Sequence, residues 1–75
     1  MKKYKGISGN HGVTAYEILK DSIILQFQYK DLYLYDYEKP GESHVEQMKI
    51  LAERGKGLTK YVNQNVRDNY KEKIK

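Results

Sequence analysis

The run Ile23-Ile24-Leu25-Gln26-Phe27-Gln28-Tyr29, followed after Lys30-Asp31 by Leu32-Tyr33-Leu34-Tyr35-Asp36-Tyr37, decides the fold. Both halves are rich in β-branched and aromatic residues and both alternate with period two, as strands buried on one face do. The turn fixes which side chains meet. A two-residue turn at Lys30-Asp31 sets Leu25 opposite Asp36 and brings a carboxylate among apolar groups. A three-residue turn, Tyr29-Lys30-Asp31, pairs Phe27 with Tyr33, Leu25 with Tyr35 and Ile23 with Tyr37, and this is the predicted register. Asp31 then takes the left-handed position that such a turn requires. Ile24, Gln26, Gln28, Leu32, Leu34 and Asp36 fall on the other face.

Working outward, Val13 to Ile18 reads as a further strand, turned by Leu19-Lys20-Asp21-Ser22. Residues 1–12 hold Gly6, Gly9 and Gly12 with little apolar content, which predicts a mobile tail. The glycine spacing is that of a phosphate-binding turn, but no strand precedes it. Downstream, Pro40-Gly41 ends the sheet region and Ser43-His44-Val45-Glu46 has the form of a capping box. The helix it opens runs to about Arg54 and stops at Gly55, with His44, Val45, Met48, Leu51 and Ala52 on one stripe and Ile50 off it. Gly55-Lys56-Gly57 breaks the chain, and a second helix begins with Thr59 as its predicted cap. Leu58, Val62, Val66 and Tyr70 recur at four-residue steps with Tyr61 beside them, while Lys60, Gln64, Arg67, Lys71 and Lys75 line the opposite side. The expected architecture is α+β: a three-stranded antiparallel sheet followed by two helices on one face, in one domain over residues 13–75.

Composition narrows the function. A chain of 75 residues holds one domain with a thin core. It has no cysteine, which excludes disulfides and thiolate metal sites. No stretch approaches the roughly 20 apolar residues of a membrane helix, so a cytoplasmic protein without a membrane partner is expected. His11 and His44 are far apart and lack a nucleophile or an orienting carboxylate at a telling spacing, so no catalytic site, metal or cofactor is expected. The net charge of +4 is uneven: Lys2, Lys3 and Lys5 stand at one end without an acid, and Lys56, Lys60, Arg67, Lys71, Lys73 and Lys75 outnumber Asp68 and Glu72 at the other. An anionic partner would touch those ends.

Residues 16–70 resemble the KTSC domain, a short module found alone in bacterial and phage proteins and at the C-terminus of some lysyl-tRNA synthetases. Leu25-Gln26-Phe27 followed by Tyr33-Leu34-Tyr35 looks like the family's central Tyr-x-Tyr motif. Asn63-Gln64-Asn65-Val66-Arg67-Asp68-Asn69-Tyr70 looks like its closing Asn-x-x-Ile-Arg-x-x-Tyr. The turn departs from the family pattern, with Lys30-Asp31 where glycine is usual. The family has no established activity, and its attachment to a tRNA synthetase suggests RNA as a partner; the residues themselves lead to the expectation of a non-enzymatic binding module.

Two sets of residues are candidate sites. Lys56, Lys60, Arg67, Lys71 and Lys75 form a predicted basic ridge along the second helix, suited to a phosphate backbone. Tyr33 and Tyr35, with Asn63 and Tyr70, are the candidate stacking or motif residues; aromatic rings on a sheet can hold unpaired bases, whereas the predicted register turns Tyr33 and Tyr35 toward the core. Gly55-Lys56-Gly57-Leu58-Thr59 has donors suited to one phosphate, although a helix–helix turn explains it more cheaply. The expected function is therefore nucleic-acid binding, RNA foremost. The alternative is a protein-interaction module or homodimer using Ile24, Leu32 and Leu34 or the off-stripe Ile50.

Overall fold

The computed structural model describes residues 1–7 and 12–75. Gly9 and His11 of the sequence reading lie outside them. The strands are β1 (Lys2–Lys3), β2 (Val13–Ile18), β3 (Ser22–Phe27), β4 (Asp31–Asp36) and β5 (Glu72–Lys73), with α1 (Glu42–Arg54) and α2 (Leu58–Asn65) between β4 and β5. They form one antiparallel meander in the order β1-β2-β3-β4-β5. The three expected strands are its centre. The α+β class therefore holds, with five strands where three were predicted.

The hairpin pairs Phe27 with Asp31, Leu25 with Tyr33 and Ile23 with Tyr35, two residues away from the predicted register. A shift of two keeps every side chain on its expected face, because the pleat repeats every second residue. Ile23, Leu25 and Tyr35 are buried beneath the helices as predicted. The left-handed positions fall on Gln28 (φ 56°) and Tyr29 (φ 64°), not on Asp31. Two adjacent non-glycine residues at positive φ cost on the order of 1 kcal/mol each. Neighbours hold them there: the Gln28 N–H donates to the Gly12 carbonyl at 3.1 Å and the Tyr29 N–H to Thr14 Oγ1 at 3.1 Å.

The segment read as a mobile tail contributes an edge strand and a core residue. Tyr4 is only 1% exposed, and its hydroxyl accepts the Leu58 N–H at 2.9 Å. That N–H is one of the unpaired donors at the start of α2. The missed signal is Tyr4 itself, one apolar ring among lysines. Three of the predicted helix boundaries also move. α1 starts after Gly41 and not at Ser43, and no side chain caps it. The predicted capping box fails because Glu46 is engaged by the Tyr37 hydroxyl (2.6 Å) and by Lys49 (2.9 Å). α2 starts after Gly57 (φ 83°), and the predicted cap Thr59 instead accepts the Val13 N–H at 3.1 Å. α1 does stop at Gly55, which is left-handed and donates back to Leu51 and Ala52. Val45, Met48, Leu51 and Ala52 of α1 and Leu58 and Val62 of α2 complete one core with the sheet. Among the described residues no helix is long and apolar enough to cross a membrane.

Candidate functional site

α2 ends earlier than its periodicity suggested. The β-branched Val66 and the surrounding Asn63, Asn65, Asp68 and Asn69 are poor helix formers. The chain leaves the helix at Val66, turns with the Asn69 N–H donating to the Val66 carbonyl, and joins the sheet where the Lys71 N–H meets Leu34. The predicted basic ridge is therefore broken as a continuous helical face. Lys56 is exposed in the inter-helix turn and Lys60 on α2, while Arg67 sits in the turn after α2. Lys71 precedes β5 and is paired with Glu38, whose carboxylate raises the ammonium's pKa. Lys75 lies past β5, opposite Leu32.

The same early ending brings the motif residues together. A cavity of about 340 Å³ opens between the β3–β4 hairpin and the close of α2. Phe27, Tyr33 and Tyr70 supply aromatic walls, with Asn63 and Arg67 on the helical side. Tyr33 is half-buried; it meets Phe27 edge-on at 5.6 Å between centroids and Tyr70 at 4.7 Å. The Lys73 ammonium lies 5.7 Å from the Tyr33 centroid. Such aromatic pairs contribute roughly 0.5–1.5 kcal/mol beyond burial and hold the rings in place.

Tyr35 belongs to the core as predicted. It is 1% exposed and donates its hydroxyl to the Arg67 carbonyl at 3.2 Å. Burial pushes its pKa well above the ordinary tyrosine value, so it remains a neutral donor. That bond fixes the backbone of Arg67 at the cavity edge. The Arg67 side chain is exposed and donates to Asn63 Oδ1 at 3.3 Å. The ion pairs among the described residues are Lys49–Glu46 and Lys71–Glu38, so the Arg67 guanidinium has no carboxylate partner there. Asp31 and Asp68 complete the rim; the sequence reading took Asp31 as a turn residue and Asp68 as part of the charge balance, and neither as a site residue, since an acid near a turn looks like ordinary turn chemistry.

Arrangement and chemistry agree on one capability. The cavity is at the small end of ligand sites, and its aromatic rings stand among a lining that is more polar than apolar. It can enclose one planar group, with Arg67 and Asn63 offering donors and Asp31 and Asp68 offering acceptors. Of the donors in the Gly55–Thr59 segment, the Leu58 N–H is taken by the Tyr4 hydroxyl, while the Thr59 hydroxyl accepts the Val13 N–H. Among the described residues no three His, Cys, Asp or Glu side chains gather as a metal site would require. No protein-family model, curated protein or solved structure matches this chain.

Proposed function

We propose that this protein is a small non-catalytic module that binds unpaired nucleic acid, RNA foremost, by taking one base into the aromatic cavity. The observation that carries the reading is the convergence of Tyr33, Tyr70 and Phe27 on one opening beside the unpaired Arg67 guanidinium. Stacking on such rings contributes roughly 1–3 kcal/mol per base and tolerates any base. Arg67 serves a flanking phosphate bidentately, and Lys60 and Lys56 attract the strand from farther off. Asp31 and Asp68 accept from the N–H groups of a base edge and repel a second phosphate, so the base goes in and the backbone stays outside. The KTSC resemblance supports the same reading, because both of its motifs contribute walls to this cavity.

The test is affinity for short single-stranded RNA across a salt series. Arg67→Ala should weaken binding and lower the salt slope by about one, while Tyr33→Ala should lose roughly 5- to 150-fold with the slope unchanged. Salt-insensitive binding, or equal affinity in both variants and the wild type, would defeat the proposal.

A further inference from the structure

The aromatic cavity has a carboxylate set beside its rings as well as one at its mouth. Asp31 pairs with Phe27 across the hairpin, and directly paired residues share a face. It therefore stands on the helix side of the sheet with Phe27 and, two positions on, Tyr33. Asp31 is half-buried, whereas Asp68, the other carboxylate of the cavity, is exposed in the turn after α2. The ion pairs among the described residues leave Asp31 without a cation there. Asn63 offers the opposite polarity: its Oδ1 accepts from Arg67 at 3.3 Å, which leaves the amide N–H2 group to donate.

We propose that the cavity selects guanine, an inference that rests on its holding an unpaired base. Stacking on the rings does not distinguish bases, so the choice falls to the base edge. Of the four RNA bases only guanine carries two adjacent donors on that edge, N1–H and the 2-amino group. The two oxygens of one carboxylate accept both in parallel. Guanine O6 lies next to N1 and suits the donating amide of Asn63. Adenine and cytosine set a ring-nitrogen acceptor next to their amino group, which meets a carboxylate lone pair to lone pair. Uracil flanks its single N–H with two carbonyl oxygens. Each of these three leaves Asp31 partly unpaired or repelled, and removing water from an unpaired acceptor is costly. A cationic guest is disfavoured, because the Lys73 ammonium already lies 5.7 Å from the Tyr33 centroid and Arg67 stands at the opening.

Fluorescence anisotropy of the full chain with short uridine strands that differ at one central position tests this. Guanosine there should bind roughly tenfold or more tighter than adenosine, cytidine or uridine. Inosine, which lacks only the 2-amino group, should lose most of that advantage. Asp31→Asn, shown folded by circular dichroism, should bring guanosine and inosine level, and Asp68→Asn should disturb the preference less. Tyr33→Ala should weaken all four strands alike. Free GMP should bind more weakly than the guanosine strand, since it offers Lys56 and Lys60 no further phosphates. Equal affinity for the four strands, with Tyr33→Ala still weakening them, overturns the guanine assignment and leaves the stacking reading standing. A preference lost in Asp68→Asn and kept in Asp31→Asn overturns the part given to Asp31. GMP bound as tightly as the strand supports guanine and overturns the strand as its source, and no binding to any strand or to GMP overturns both readings.

Discussion

Tyr37 and Glu46 show how one hydrogen bond sets both pH limits of an element. The Tyr37 hydroxyl donates to the Glu46 carboxylate at 2.6 Å, tying the end of the sheet to the first turns of α1. The bond pushes the phenol up to about 12 and, with Lys49, holds the carboxyl below its usual range. A lowered carboxyl favours the fold above its unfolded value and loses that contribution as pH falls through the folded one. A raised phenol favours the fold below about pH 10 and loses that contribution as pH rises toward 12. Tyr37→Phe should therefore flatten the stability profile both at alkaline pH and below about pH 4, which urea unfolding at a series of pH values would show. An unchanged profile would mean the bond contributes nothing. At the same scale, Gln28 and Tyr29 were illegible as left-handed residues, because neither type favours that conformation. The hydrogen bonds they donate to Gly12 and Thr14 are contacts across the sheet, which local propensity does not register.

Among the elements, β1 is the one whose role its length least suggests. Two residues of strand deliver Tyr4 to the start of α2, where its hydroxyl accepts the Leu58 N–H. Tyr4→Phe keeps the ring and leaves a buried donor unpaired, so it should destabilise by about 1–3 kcal/mol in thermal or urea unfolding. A loss under a few tenths would show that α2 needs no such partner. The three central strands and α1 were legible because their apolar period repeats over whole elements. β1, β5 and the end of α2 were not. Val66 and Tyr70 continue the four-residue step of α2 although the helix stops at Asn65, and the competing signal was the run of Asn and Asp around them. Two-residue strands are too short to show any period and exist only because β2 and β4 offer open edges.

At the scale of the whole molecule, the sheet separates two surfaces with different chemistry. The helix side carries the aromatic cavity with Arg67 and Asn63; the other side carries Ile24, Leu32 and Leu34 with Glu17 and Glu72. Tyr33, Tyr35, Asn63 and Tyr70 were legible as a set, but their meeting place depends on α2 ending early and the chain returning to β4. Lys71 was legible as a cation and not as one already paired, since Glu38 lies 33 positions away in sequence. What remains of the basic ridge is Arg67 at the cavity, with Lys60 and Lys56 beyond it. The central claim is that an unpaired base stacks in the cavity walled by Phe27, Tyr33 and Tyr70. Its most direct test is an amide-shift titration of the labelled chain with short single-stranded RNA. The account predicts shifts concentrated at Phe27, Tyr33, Asn63, Arg67 and Tyr70; shifts confined to Lys3, Ile24 and Leu34 on the opposite face, or none at saturating RNA, would contradict it.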